Sequence, residues 1–444
     1  MSVYQNVSAF LGRNGFPVGG PDINSVIDGL LYDMQLGLDV GTGEGPMDAR
    51  QPMIPTWGMP PADAPKNTSV IVIDAGGTNF RSCYVQFDSE GNAEISNLEK
   101  CSMPGIEKEL SKKEFFEQIA KNLDHLKNMS SRIGFCFSYP MEILPNGDGR
   151  VIAFSKEIKA SEVVGSVVGE CLADALVERG WNRPERVVLL NDTTAALQAG
   201  AASAGPGVKY SSYVGLILGT GMNAAYIESD KIKKIANAAS VAPESQIVVC
   251  ESGSFDKLPR SAFDIAFDQT TTTPGKAIME KMCSGAYLGP VGTIALKAAA
   301  KEGLFSEPVA NAIIALPKAE LYDMDRFFYA PYKTDTVLGA VVANGTTEDY
   351  DTMYAILDAI VERSARLTAA IIAACVIKSG KGSSPSKPVC VLCNGTTFYK
   401  THNLHQRLRG YLNTVLTEQR HIYFEIVTVD NDITLGTAIA ALSQ

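Results

Sequence analysis

The sequence predicts an α/β protein of two lobes, and three observations carry that prediction. An apolar run at 69–73 ends in Asp74, Ala75, Gly76, Gly77, Thr78 and Asn79, and a second at 214–218 ends in Gly219, Thr220, Gly221, Met222 and Asn223. Each then continues into a further strand-like run, at 81–87 and 224–227, so two strand, glycine turn, strand units open the two halves of the chain. Short apolar strands alternate with helical patterns in both halves, as in mixed sheets covered by helices. Backbone N–H groups gathered on a glycine turn suit a phosphate, and the adjacent Asp74 suits a magnesium ion. Two such hairpins facing each other across a cleft can grip one polyphosphate from both sides. The alternative is a pair of ordinary hairpins. Residues 219–224 also match the loose dinucleotide pattern GxGxxA, but a strand-like alternation follows where that fingerprint needs a helix.

The elements follow in order. Residues 21–38 carry helical spacing through Ile23, Val26, Ile27, Leu30, Leu31 and Met34, and the glycine- and proline-rich stretch to Pro65 reads as a connector between lobes. Strands are expected at 70–73, 81–87 and 93–98. Ser111 with Glu114 forms a capping box that starts a helix to about Lys127. Strands at 133–137 and 151–154, a helix at 163–179 ended by Gly180, and a fully apolar strand at 187–190 complete the first half. After the Gly219 hairpin come helices at 274–288, 291–301 and 350–377, then the polar loop 378–387. A strand at 389–392, a largely helical stretch at 396–419, a strand at 423–429 and a closing helix at 434–442 end the chain.

Composition narrows the function. The chain has 444 residues, enough for two or three lobes, with 45% hydrophobic and 20% charged residues and a formal charge of −10. That acidic balance argues against a nucleic-acid surface, so an anionic substrate has to be met by local cations or a metal. The N-terminus lacks signal-peptide order, and the longest apolar stretch, 368–377, is half of a membrane span, which predicts a cytoplasmic protein. The nine cysteines show no framework spacing. Cys390 and Cys393 form a CxxC inside an apolar strand, where burial is expected rather than redox or zinc chemistry. His402 and His405 could face one way on a helix, but with four histidines in all they give a metal site little support. No GxSxG elbow and no GxxxxGK[ST] loop is present.

Asn191 and Asp192 end the strand RVVLL and begin the helical pattern TTAALQAGAA. Both residue types are leading N-caps, so capping is one reading. A carboxylate at the C-terminal end of a sheet strand is also where α/β enzymes place catalytic groups. The helix N-terminus favours the ionised form and weakens Asp as a base, while desolvation acts the other way.

With these segments in view, the chain resembles the hexokinase family along nearly its whole length. The resemblance rests on DAGGTNFR at 74–81, FSYP at 137–140, Ser155 with Lys156, LLND at 189–192, LGTGMNAAYIE at 218–228, CESGSF around Glu251, PGKAIMEKMCSGAYLG at 274–289 and NGTTFYK at 394–400, all in the family's order. It implies the two-lobed actin-like ATPase / sugar kinase fold, with a small lobe of 63–191 plus 434–444 and a large lobe of 1–62 plus 192–433. It further implies transfer of the ATP γ-phosphoryl group to the 6-hydroxyl of a hexose, with Asp192 as general base and the lobes closing over the sugar. Lys156 would hold the sugar and steady charge on the transferring group. Ser138, Ser155, Asn191, Asn223, Glu251 and Glu280 would bond the sugar hydroxyls, which need short hydroxyls, amides and carboxylates of this kind. Asp74 would lie near Mg2+, directly or through water, with Gly76, Gly77, Thr78, Asn79 and Arg81 around the transferred phosphate. Gly219 and Thr220 would meet the remaining phosphates, and Gly395 and Thr396 the adenosine. Four positions depart from the pattern: Ser155 for Thr, Ser252 for an aromatic residue, Pro290 for an acidic one and Asn394 for Asp. A kinase acting on another sugar or amino sugar, and a sugar-binding regulator that kept the pocket, remain alternatives; the pairing of Lys156 with Asp192 argues against the latter.

Overall fold

Two mixed sheets carry the duplication. In this computed structural model, which describes residues 2–16, 18–45, 47–61, 64–154, 158–205, 207–238 and 243–443, the strands are β1 (Ile54–Pro55), β2 (Thr68–Gly76), β3 (Asn79–Phe87), β4 (Ala93–Ser102), β5 (Arg132–Phe137), β6 (Met141–Ile143), β7 (Gly149–Val151), β8 (Arg186–Leu190), β9 (Ser212–Leu218), β10 (Met222–Glu228), β11 (Gln246–Val249), β12 (Val389–Asn394) and β13 (Phe424–Val427). The first sheet has the order β4-β3-β2-β5-β8 and the second β1-β11-β10-β9-β12-β13, while β6 and β7 form a separate hairpin. Without β1 the two orders match strand for strand. In each, an antiparallel meander (β2, β3, β4 or β9, β10, β11) is extended on its other side by two parallel strands (β5, β8 or β12, β13).

The apolar run of β2 is continuous because helices cover both faces of its sheet. Ile71, Ile73 and Ala75 join a core with Phe115, Phe116 and Ile119 of the helix Lys112–Asn122 and Leu172 and Leu176 of the helix Val168–Glu178. Val70 and Val72 turn the other way, onto Ala438, Ile439 and Ala441 of the helix Asp432–Ser443. In the second sheet Val214, Leu216 and Leu218 pack into the large core of the 32-residue helix Thr347–Lys378, whose Thr346 and Asp349 form a capping box.

Two helices cross between the sheets. The helix Asp192–Ala202 leaves β8 of the first sheet and packs on β9 and β12 of the second; the helix Asp432–Ser443 leaves β13 of the second and packs on β2 and β5 of the first. They lie against each other so closely that a Cβ at Gly436 would stand 1.7 Å from the Ala195 carbonyl oxygen. This contact explains the alanine- and glycine-rich sequences of both helices, since larger side chains would separate them.

Several boundaries differ from expectation. The stretch to Pro65 is not wholly connector: β1 pairs with β11, and β11 itself is absent from the expected elements because its four buried residues carry no alternation. The strand expected at 151–154 ends at Val151 as β7. The helix expected at 163–179 begins at Val168, after a short 3-10 turn at Ser161–Val163. The break expected near Pro290 falls at Ser284, whose extended backbone separates Ile278–Cys283 from Gly285–Lys301, and Pro290 lies inside the second helix. No described helix is long and apolar enough to cross a membrane.

Candidate active site

The parallel strands β2, β5 and β8 end side by side. Register places Asp74 opposite Cys136 and Cys136 opposite Leu190, so Asp74, Ser138 and the pair Asn191–Asp192 emerge from adjacent C-terminal strand ends. Across the cleft, Asn223 lies at the start of β10, Glu251 just beyond β11, and Glu280 on the helix Ile278–Cys283. Ser138, Asn191, Asp192, Asn223, Glu251 and Glu280 line one cavity of ≈ 250 Å³, together with Tyr139, Pro140, Ile217, Gly221 and Met222. That is smaller than the ~300–1,000 Å³ of drug-sized sites and suits one small polar ligand. Ser155 and Lys156 lie outside the described residues.

Local bonds hold these groups in place. Asn191 does cap its helix: its Oδ1 accepts from the Thr193 N–H at 2.9 Å and the Thr193 hydroxyl at 2.6 Å. The oxygen is thereby engaged, which leaves the amide N–H groups as donors toward the cavity. Asn223 Nδ2 donates to Glu251 Oε1 at 2.7 Å, and the Met222 N–H donates to Glu280 Oε2 at 3.1 Å. Glu251 has left-handed backbone (φ 55°, ψ 46°), and so does Ala277 (φ 51°, ψ 45°) just before the Glu280 helix. Non-glycine residues in that region store strain that the surrounding fold must offset, and both strained positions set the course of a cavity carboxylate.

Electrostatics sets the carboxylates apart from surface ones. Asp192 is pushed up to about 6, first by burial and then by Asp74 and Asp432, against a lowering bond from the Thr193 N–H. Desolvation therefore outweighs the helix N-terminus. Glu251 is pushed up to about 7 by burial and by the neighbouring Asp192 and Glu280, although the Asn223 bond opposes this. Burial also raises Glu280 and Asp74, with Arg81 opposing the rise at Asp74. Such under-solvated acceptors are matched to a ligand that brings several hydroxyl donors.

The glycine turns border the cavity, with Gly221 of the second turn lining it and Gly76 of the first packed on Ser138. Gly77 and Thr78 make the two-residue turn between Gly76 and Asn79, with Gly77 at φ +56°. The Tyr139 hydroxyl donates to the Gly77 carbonyl at 2.8 Å, tying this turn to the cavity wall. Gly77, Thr78, Asn79 and Arg81 are exposed, and Arg81 Nη1 is 3.4 Å from Asp74 Oδ2. Gly219 and Thr220 accept backbone bonds from Gly285 and Ala286, and Gly219 also accepts from the Thr397 hydroxyl at 2.8 Å. Gly395 (φ +123°) packs on this turn, where a Cβ would stand 2.1 Å from the Leu218 carbonyl oxygen. Gly219, Thr220, Gly395 and Thr396 thus form one surface. Tyr139 and Gly221 lie within the motifs quoted above but carry no role assigned from sequence. Asp432 is absent from the sequence-based set, although Asn431–Asp432 before an apolar helix repeats Asn191–Asp192 and offers that signal.

Duplicated mixed-sheet lobes with a polar cavity at the strand ends define the two-lobed actin-like ATPase / sugar kinase class. The structure overlays a hexokinase from Schistosoma mansoni complexed with glucose at a TM-score of 0.76 and 22% identity, covering 100% of this chain and 99% of that one. Hexokinase family models match residues 13–202 and 213–443, and the chain belongs to the hexokinase family. It is 29% identical to hexokinase-1 of Schizosaccharomyces pombe over 448 residues, 95% of this chain and 87% of that protein. It is 31% identical to hexokinase-5 of Oryza sativa subsp. japonica over 70% of this chain and 65% of that protein. The protein is a hexose kinase.

Proposed function

We propose that this protein transfers the γ-phosphoryl group of ATP to the 6-hydroxyl of a neutral hexose such as glucose, with Asp192 as general base. The observation that carries the reading is the single cavity that gathers Asp192 with Ser138, Asn191, Asn223, Glu251 and Glu280 at the strand ends. Asn191 and Asn223 donate to sugar oxygens while Glu251 and Glu280 accept from hydroxyls, which fixes the ring and leaves one hydroxyl at Asp192. Asp192, pushed up to about 6, is ionised at neutral pH yet basic enough to take that proton as the oxygen attacks the γ-phosphorus. The bond from γ-phosphorus to the β-bridging oxygen breaks and ADP leaves. Arg81 and Lys156 stabilise the charge on the transferring group.

Gly76, Gly77, Thr78 and Asn79 surround the transferred phosphate, Gly219 and Thr220 the other phosphates, and Gly395 and Thr396 the adenosine. Among the described residues no group of three or more His, Cys, Asp and Glu side chains can hold a metal alone. Mg2+ needs no such cage, since it takes one or two carboxylates and completes its shell with water and phosphate oxygens. Asp74 fits it: a partly buried carboxylate raised by burial, whose cation partner Arg81 is itself half-exposed. Mg2+ there would neutralise phosphate charge. The small lobe of 63–191 plus 434–444 and the large lobe of 1–62 plus 192–433 close over the sugar, turning on the two crossing helices, and closure limits transfer to water.

A second reading, phosphorylation of a substituted sugar such as an N-acyl hexosamine, has one observation in its favour. Tyr139, Pro140, Asn191 and Glu251 also border an adjoining cavity of ≈ 490 Å³ walled by Ile54, Pro55, Met141, Ile143 and Val249, with room for an apolar substituent. The test is ATP-dependent transfer to glucose, mannose, fructose and N-acetylglucosamine, with Asp192→Ala in parallel. Transfer to a neutral hexose that drops about 10²–10⁴-fold in the folded variant is expected. Near-normal turnover in that variant would remove Asp192 as the base.

A further inference from the structure

The duplication gives Asp192 a counterpart. β8 and β13 are the last strands of their sheets, and each runs into a crossing helix that begins Asn–Asp: Asn191–Asp192 and Asn431–Asp432. The local geometry repeats as well. Asp192 Oδ1 accepts from the following N–H of Thr193 at 2.8 Å, and Asp432 Oδ1 accepts from the following N–H of Ile433 at 2.8 Å. The residue before each differs, Asn191 being extended (φ −84°) and Asn431 left-handed (φ 53°), and so do the surroundings of the two carboxylates. Asp192 opens on the cavity, whereas both oxygens of Asp432 are held by Asn394 Nδ2, at 2.7 and 2.8 Å.

That bond ties the end of β12 to the first residue of the helix that carries the chain from the proposed large lobe, which ends at 433, into the small one. Asn394 ends β12 in the second sheet and immediately precedes Gly395, while Asp432 heads the helix that packs on β2 and β5 of the first. Asp74 and Arg81 belong to the β2–β3 hairpin of that first sheet, and Gly219, Thr220, Gly395 and Thr396 to the second. We propose that Asn394 and Asp432 are a positioning pair for nucleotide: their bond sets the spacing between the two halves of the phosphate grip, and the amide at 394 is required because an acceptor faces it. The pair acts through Gly395 and Thr396 rather than by touching the sugar. The proposal rests on the assignment of these turns to the nucleotide under the proposed function.

The pair predicts a reciprocal exchange. Asn394→Asp sets two carboxylates against each other at hydrogen-bond distance, and Asp432→Asn sets two amides; together they restore one donor and one acceptor with net charge unchanged. The experiment measures binding of a non-hydrolysable ATP analogue with Mg2+ by calorimetry, glucose binding without nucleotide, and KM for both substrates. Variants are Asn394→Asp, Asp432→Asn, the double exchange, and Asn394→Ala, which removes the bond without adding charge. A hydrogen bond to a charged group is worth roughly tenfold or more in affinity. Asn394→Ala should therefore weaken analogue binding and raise KM for ATP by about tenfold, Asn394→Asp by more, and the double exchange should return to within about threefold of the parent. Glucose affinity should stay within about twofold throughout. A double exchange no better than Asn394→Asp, an unchanged analogue affinity in Asn394→Ala, or parallel losses of glucose and nucleotide binding each overturn the pairing. If the parent binds the analogue but phosphorylates no sugar, the proposed function fails while the pairing is still judged by analogue affinity. A parent that binds no analogue overturns both.

Discussion

Asp192→Asn should abolish most of the activity and at the same time make the unliganded protein more stable at neutral pH. Asn keeps the size of the side chain and an oxygen for the Thr193 N–H, which bonds Asp192 Oδ1 at 2.8 Å, but removes the charge. In the folded protein Asp192 is raised from 3.8 to about 6, burial being the first cause. A carboxyl whose folded value is raised binds protons more tightly folded than unfolded, so its ionisation costs stability as pH rises from the unfolded value through the folded one. The cost is absent below both values and complete above about 6. At roughly 1.4 kcal/mol for each tenfold change in proton affinity, that rise corresponds to about 3 kcal/mol at pH 7, and to less than ~1 kcal/mol at pH 4. Urea unfolding of parent and variant at pH 4 and pH 7, with turnover on glucose, measures both effects. The expected result is a variant up to about 3 kcal/mol more stable at pH 7, nearly equal at pH 4, and about 10²–10⁴-fold slower. A variant no more stable than the parent at pH 7 would refute the claim that burial strains this carboxylate.

The pH dependence of kcat/KM should show an acid limb, falling about tenfold per pH unit once the base is protonated. Because Asp192 and Glu251, pushed up to about 6 and about 7, interact, the limb belongs to the pair, and Glu251→Gln should leave a simpler one near 6 while raising KM for the sugar. Gly436→Ala should cost more than ~2 kcal/mol in thermal or urea unfolding and lower turnover, since its Cβ would stand 1.7 Å from the Ala195 carbonyl oxygen and force the crossing helices apart. Unchanged stability would contradict the packing described. Gly395→Ala combines φ +123° with a 2.1 Å approach to the Leu218 carbonyl oxygen, so KM for ATP should rise about tenfold or more, with glucose binding by calorimetry little changed.

Most of the polar cavity lining was legible only through the resemblance to the hexokinase family; the sequence by itself determined the α/β class, both glycine hairpins and their duplication. Those features are legible because they are local: a strand covered on both faces must be apolar throughout, as in β2, and a turn of Gly77–Thr78 demands residues that tolerate it. The short strand β11 was not legible, since a buried Gln246 followed by three apolar residues carries no period. Only the tertiary structure decided the balance at Asp192, where the helix N-terminus and burial pull in opposite directions and the amount of protein packed around the carboxyl settles the sum. It alone also decided which distant segments meet. The alanines after Asp192 and Gly436 are small because two helices, remote in sequence, cross there, and Asn394 finds Asp432 because the chain returns from the second sheet to the first at that point. Contacts of that kind depend on how the lobes pack, and no spacing along the chain encodes them.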